Sequence, residues 1–147
     1  MSLGESGTEA PPLLPPLGEG ELFRPTAWSP DGNWIAGERV LLPDNRDRSE
    51  GIAIYSVQSG EYDRLTDFGT GPKWLGDSRT VLFTDALRTD FLAGEEIFAV
   101  DRMSREPRVV LAHPRGQAGG LAVSPDGRTL YFTLRHVEAD LWLINLP

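Results

Sequence analysis

Short apolar runs separated by turn residues make up most of the chain from residue 21 onward. Residues 34–36, 52–57 and 80–83 are examples, and Gly, Pro, Asp, Asn or Ser stands close to most of them. Runs of this length, rich in β-branched and aromatic residues and bounded by turn signals, are typical of β-strands. The pattern therefore predicts an all-β domain over residues 21–147.

One tetrapeptide, Ser-Pro-Asp-Gly, occurs at residues 29–32 and again at residues 124–127, with a diverged copy, Leu-Gly-Asp-Ser, at residues 75–78. Aligned on their aspartates, the copies are 46 and 49 residues apart. A period of this length is that of a structural repeat of several strands. We predict three repeats at about residues 26–66, 72–111 and 121–147, each with four short strands except the last, which lacks its fourth.

The tetrapeptide has the residue order of a type I turn, with Pro second and Gly fourth. At its third position, Asp31, Asp77 and Asp126 are predicted to accept hydrogen bonds from local backbone. At its fourth, Gly32 and Gly127 are predicted structural residues. The alternative is a group of carboxylates for metal or acid-base chemistry. Because each aspartate lies in a different repeat, we expect the three to be held apart, which favours the structural interpretation.

Large apolar residues recur at two matched positions of the repeat. These are Trp28, Trp74 and Val123 before the turn, and Tyr55, Phe98 and Trp142 in the third strand. Matched size at matched positions indicates a packing layer. We therefore expect the tryptophans to belong to the core and not to a stack that binds a ligand.

The first repeat has Trp before Ser-Pro-Asp-Gly, Trp-Ile-Ala at residues 34–36, Ile-Tyr-Ser-Val at 54–57 and Arg-Leu-Thr at 64–66. This order resembles the TolB-like β-propeller repeat, also called PD40 or WD40-like, over about residues 26–147. The resemblance implies radially arranged, four-stranded antiparallel blades. Such blades occur in TolB itself, in the propellers of prolyl-oligopeptidase-like peptidases and in sensor regions of bacterial kinases and regulators. The middle turn departs from the pattern at Gly76 and Ser78.

Three blades are too few for a closed propeller, which usually has four to eight. Two apolar flanks would remain open, to be covered by missing parent sequence or by a second copy. We predict a homodimer in which two chains pack head to tail into about six blades. Leu22 and Phe23, just before the first repeat, are expected to supply the missing fourth strand of the third repeat, either of their own chain or of its partner.

Composition and charge narrow the possible partners. Fourteen Lys and Arg against 22 Asp and Glu give a net charge of -8, which disfavours nucleic acid as a partner. No apolar run is long enough for membrane insertion, and the sequence predicts a soluble chain. The absence of cysteine excludes disulfides but leaves the localisation open between periplasm and cytoplasm.

Residues 1–20 contain four prolines among Gly, Glu and Leu and are predicted to be a linker or tail. The alternative interpretation is a Pro-rich ligand for an SH3-type domain.

No catalytic signature is present: the sequence contains no Gly-x-Ser-x-Gly, and no phosphate-binding Gly-rich loop is recognisable. His136, Glu138 and Asp140 alternate and could share one face of a strand, but we predict no metal site, no cofactor and no enzyme activity. We predict a non-catalytic module that binds or scaffolds a protein or peptide. The alternative is a sensory or substrate-gating domain of a larger enzyme, such as a bacterial kinase or a prolyl-oligopeptidase-like peptidase.

The longest loops are predicted on the face opposite the Ser-Pro-Asp-Gly turns. They carry a mixed set of charges suited to recognising a protein or peptide. The predicted contact residues are Arg46, Arg48, Arg88, Asp90, His113 and Arg115. The alternative is that they are ordinary solvated loop residues.

Overall fold

The structure, a computed structural model, describes residues 13–42, 49–85, 96–112 and 117–135. Its first sheet contains β1 (Glu21–Trp28), β2 (Trp34–Leu41), β3 (Ser49–Ser56) and β4 (Tyr62–Arg64). The second contains β5 (Thr70–Trp74), β6 (Thr80–Thr84), β7 (Glu96–Asp101) and β8 (Pro107–Ala112). The third contains β9 (Gln117–Val123) and β10 (Leu130–Arg135). The predicted all-β fold with four-stranded antiparallel sheets is confirmed.

Within each sheet, every strand pairs with the strand that follows it in the chain. The register next to the first turn is the same in all three sheets. The paired residues there are Trp28 with Ile35, Trp74 with Val81, and Val123 with Leu130. The repeat seen in the sequence is therefore a repeat of one antiparallel hairpin, to which the first two sheets add two further strands.

The first strand begins at Glu21 and includes Leu22 and Phe23. Leu22 pairs with Val40 and Phe23 with Arg39, both on β2. The prediction that residues 22–23 supply the fourth strand of the third repeat is wrong. These residues extend the first strand of their own sheet and pair with β2, and within the described residues they pair with no strand of the third sheet.

The first turn of each sheet is closed by a hydrogen bond from its fourth residue to its first. The N–H groups of Gly32, Ser78 and Gly127 donate to the carbonyl oxygens of Ser29, Leu75 and Ser124 at 2.9, 3.2 and 2.8 Å. The fourth residues have φ angles of 74°, 52° and 68°. This left-handed conformation suits glycine, because L side chains at positive φ are strained.

The aspartate of each turn accepts hydrogen bonds from the backbone that follows it. Asn33 N–H donates to Asp31 at 3.0 Å, Arg79 and Thr80 donate to Asp77 at 2.9 and 2.8 Å, and Arg128 donates to Asp126 at 3.1 Å. In the two complete copies the serine hydroxyl also donates to the carboxylate. These bonds tie the carboxylate to both sides of the hairpin.

Hydrogen bonding also favours the ionised form of these carboxyls. The serine hydroxyls of the two complete turns, followed by the backbone N–H groups, lower the pKa of Asp31 and that of Asp126. Partial burial raises the pKa of Asp77, but the hydrogen bonds from Thr80 and Arg79 outweigh it, and the pKa is lowered overall.

The three turns lie next to one another, although each belongs to a different repeat. The Asp31 N–H donates to Ser78 Oγ at 3.0 Å, which joins the first turn to the second. A Cβ built on Gly76 would lie 3.1 Å from Gly127 Cα, so the second turn lies directly against the third. Gly76 and Ser78, where the middle turn departs from Ser-Pro-Asp-Gly, are therefore the residues that contact the turns on either side.

The core lies between the sheets. Its largest cluster joins the first sheet to the second and contains the buried residues Ala36, Ile52, Ile54, Leu65, Trp74, Val81, Phe83 and Val100. A smaller cluster joins the second sheet to the third through Leu82, Ile97, Ala99 and Leu121. Neighbouring residues of β6 and β7 face opposite sides, as strand geometry requires, so the second sheet is packed on both faces.

A buried carboxylate reinforces the first of these interfaces. Glu38 on β2 accepts hydrogen bonds from Thr70 Oγ1 at 2.6 Å and from the Gly71 N–H at 2.8 Å, at the start of the second sheet. It also pairs with Arg24 at 2.6 Å. Burial raises the pKa of Glu38, but these three partners outweigh it, so the pKa is lowered and the carboxylate is charged.

Alanine substitutions at Gly32 and Gly127 are expected to differ in cost although the two glycines have the same turn position. Gly32→Ala places a Cβ at φ 74° with no atom within 4 Å, and should lower the unfolding free energy by about 1 kcal/mol. Gly127→Ala adds a clash, because its Cβ would lie 2.5 Å from Gly76 Cα, and should cost roughly 1–3 kcal/mol more. Urea denaturation of both variants measures the difference, and equal losses would contradict the contact between the second and third turns.

Acid should weaken the hairpins. The pKa values of Asp31, Asp77 and Asp126 are lowered in the folded chain, so their stabilisation is present above the unfolded pKa of about 4 and is lost as pH falls through the folded values. Titration of these groups should change the melting temperature little between pH 7 and 5. At pH values below 4 it should lower the melting temperature. Asp126→Asn, which keeps an acceptor oxygen, should reduce this acid sensitivity, and an unchanged pH dependence of the melting temperature would contradict the role of this carboxylate.

Candidate binding surfaces

The contact residues predicted from the sequence lie outside the described residues. Arg46 and Arg48 fall in residues 43–48, Arg88 and Asp90 in residues 86–95, and His113 and Arg115 in residues 113–116. The predicted loop face therefore stays a prediction. The alternating His136, Glu138 and Asp140 also lie outside, and the described part of the chain contains no group of three potential metal ligands.

Three of the described arginines near the turns make contacts between or within sheets. Arg102 lies over the ring of Trp34 at 4.7 Å, and Arg105 pairs with Asp63 at 2.8 Å, so both reach from the second sheet to the first. Arg79 pairs with Asp101 at 2.6 Å. A polar groove of about 300 Å³ lies beside Asp101 and is lined mainly by residues 104–108. Arg102 and Arg105 thus link the second sheet to the first, and the Arg79 contact lies within the second sheet.

A more distinctive surface is the face of the first sheet that points away from the second. We name it the front flank, and it comprises Phe23, Trp28, Ile35, Ala53, Tyr55 and Tyr62. Phe23, Ile35 and Ala53 form its buried centre, with Tyr55 and Tyr62 packed against them. Trp28 shares this face because it pairs directly with Ile35.

Trp28 is uncovered on this flank. Its side chain is at the position of Trp74, which packs between the first and second sheets and is only 5% exposed. Trp28 itself is 62% exposed. The prediction that Trp28 belongs to the core is therefore wrong: its face is directed to the side where, within the described residues, no other sheet packs. Trp142 lies outside the described residues.

The front flank also carries an aromatic cluster, centred on Tyr55 of β3 and Tyr62 of β4, toward the sheet edge opposite Trp28. The ring of Tyr62 lies 5.0 Å from that of Phe23 and 4.9 Å from that of Tyr55, in edge and tilted arrangements that aromatic pairs favour. Burial raises the pKa of Tyr62, and Tyr55 adds to the effect. The Tyr62 hydroxyl is protonated at neutral pH, as in an ordinary tyrosine, and can donate a hydrogen bond.

Part of the N-terminal segment lies on this cluster. Leu17 packs against it, and Tyr62 donates a hydrogen bond to the Pro15 carbonyl at 2.7 Å. The chain then turns back into β1, with the Glu21 N–H donating to Gly18 O at 3.3 Å. This contact joins residues 47 apart, so no local pattern in the sequence could have revealed it.

The opposite end of the molecule also exposes an aromatic side chain. Leu130 on β10 packs toward the second sheet, and its neighbour Tyr131 points the other way and is 62% exposed. Tyr131 pairs with Ala122 of β9, which is exposed as well. We name Ala122 and Tyr131 the back flank.

The described residues also contain no helix long and apolar enough to cross a membrane.

Comparison with known proteins rests on solved structures, since no protein-family model and no curated protein match the sequence. A protein described as TolB from Agrobacterium tumefaciens superposes with a TM-score of 0.63 at 22% identity, over 80% of this chain and 40% of that one. TolB from Acinetobacter baumannii superposes with a TM-score of 0.52 at 24% identity, over 78% of this chain and 26% of that one.

The chain thus spans less than half the length of either TolB structure. At these identities the likeness is one of fold. It agrees with the four-stranded antiparallel sheets, the shared hairpin register and the face-to-face packing described above. The chain therefore has the fold of part of a TolB-like β-propeller.

Proposed function

We propose that this chain is a non-catalytic protein-binding module, a part-propeller that associates through its flanks. The observation that carries the proposal is the exposure of Trp28, 62% against 5% for the equivalent Trp74. Trp and Tyr are the residues most often found at the energetic centres of protein interfaces. A large aromatic side chain contributes roughly 2–3 kcal/mol when it is fully buried.

The occupant best suited to the front flank is a surface like the back flank. Within the chain, the front of the second sheet, with Trp74 and Val81, packs on the back of the first. The front flank repeats that arrangement with Trp28 and Ile35 at matched positions. The back flank of a second copy, with Tyr131, would therefore pack on a front face of the same type as the one that packs on the first sheet within each chain.

Such an interface is heterologous, because two different surfaces meet. Two copies joined head to tail at both ends would close a ring of about six blades, within the usual range of propellers. If the rotation did not close, the same contact would produce a filament. We propose the closed homodimer.

A second candidate function follows from the lengths in the comparison. The chain covers only 40% and 26% of the two TolB structures. In a longer protein the same flanks would contact further blades, and the module could serve as a sensory or substrate-gating propeller of an enzyme.

Light scattering tests the ring. At tens of micromolar the chain should have about twice the monomer mass of 16.2 kDa. Trp28→Lys and Tyr131→Lys should each shift it toward the monomer, since each places a charge in both interfaces of the homodimer. A mixture of the two variants should recover mass as an open pair joined by one intact interface, between the front of the Tyr131 variant and the back of the Trp28 variant. The second interface would carry both substitutions and stay open.

Met103→Lys is the matched control, since Met103 is 65% exposed but lies in a turn of the second sheet and on neither flank. It should leave the mass unchanged. A wild-type chain that is monomeric at this concentration would rule out self-association and favour the second candidate. If either variant on its own still had the mass of a dimer, that result would contradict the head-to-tail arrangement.

A further inference from the structure

The segment on the aromatic end of the front flank has the character of a bound peptide. Residues 14–17 read Leu-Pro-Pro-Leu, and the two prolines are exposed. Adjacent prolines favour an extended polyproline-type backbone, which forms no internal hydrogen bonds and so leaves its carbonyls available. The segment meets β1 only after the turn at residues 18–21.

Two different contacts hold this segment. Leu17 is an apolar anchor, half-buried against the cluster of Phe23, Ile35 and Ala53. The Pro15 carbonyl is a polar anchor that accepts a 2.7 Å hydrogen bond from the Tyr62 hydroxyl. An aromatic surface with a hydroxyl that donates to a ligand carbonyl suits an extended proline-containing chain, whose low conformational freedom reduces the entropic cost of binding.

We propose that Phe23, Tyr55 and Tyr62 form a binding site for extended segments of the Leu-Pro-Pro-Leu type, which residues 14–17 fill in cis. The proposal rests on the proposed binding role of the front flank but does not require the ring. Tyr62 lies on β4 at one edge of the first sheet, whereas Trp28 lies on β1 at the opposite edge, in the same cross-strand row, and is left exposed by the segment. Peptide and partner sheet therefore use different parts of one face.

The covalent link determines how the site responds to added peptide. A ligand tethered by a few residues has an effective concentration in the millimolar range. A free peptide in trans competes poorly against it. Weakening the tethered segment should open the site.

The test uses the full chain with Trp28→Lys, so that self-association does not enter. Into this background Leu17→Ser is introduced to release the segment. The probe is a synthetic peptide of residues 11–19, titrated while the aromatic ring signals are followed by NMR. We expect the Leu17→Ser chain to bind the peptide at least about tenfold more tightly than the chain that retains Leu17, with shifts at Phe23, Tyr55 and Tyr62.

Two controls define the anchors. A peptide carrying Leu17→Ser should bind at least about tenfold more weakly, because its apolar anchor is lost. Adding Tyr62→Phe to the released chain keeps the ring but removes the donor, and should weaken binding by roughly three- to tenfold. Circular dichroism checks the fold, and Leu17→Ala is the milder release variant should Leu17→Ser unfold the chain.

Equal peptide affinity with and without the release substitution would overturn the site. So would binding that is insensitive to both the peptide and the Tyr62 changes, or ring shifts confined to other parts of the chain. A failure of ring closure in light scattering would leave this result unaffected, since the titration is carried out on the Trp28→Lys chain.

Discussion

The structure depends on the packing of one sheet face against the next. Each sheet presents apolar side chains on both of its faces, because neighbouring residues of a strand point in opposite directions. Burial of both faces requires two neighbours. Ile52 and Ile54 of the first sheet and Val81 and Phe83 of the second are fully buried by this contact. Among the described sheets only the second has a neighbour on each side.

Polar groups at the sheet ends are arranged to suit this stacking. Glu38 stays charged in a buried position because three donors from its own and the neighbouring sheet surround it. The turns also make contacts between neighbouring sheets. The middle turn replaces Pro with Gly76 where the third turn lies against it, and replaces Gly with Ser78 where the first turn donates a hydrogen bond. The two positions that differ from the repeat consensus are thus the positions that contact the neighbouring turns.

The two end sheets have one described neighbour each, and this is where the candidate binding surfaces lie. Trp28 and Tyr131 occupy positions that would be buried in the middle of a stack. The aromatic cluster of Tyr62 is partly covered by the N-terminal segment, which shows that the front flank accepts an occupant other than a sheet. The proposed binding at the flanks and the completion of the fold would thus be the same physical event, the burial of an apolar sheet face.

The sequence by itself determined the class of fold and the hairpins. Alternation, turn residues and the spacing of Asp31, Asp77 and Asp126 depend on local backbone geometry, and local geometry is encoded within a few residues. Only the tertiary structure decided which faces are covered. Trp28 and Trp74 look alike in sequence, yet one is exposed and the other buried, because exposure depends on which sheet packs alongside. Leu22 and Phe23 belong to β1 because they pair with β2, and Pro15 accepts a hydrogen bond from Tyr62. Both contacts join residues far apart in the chain, and no local pattern specifies them.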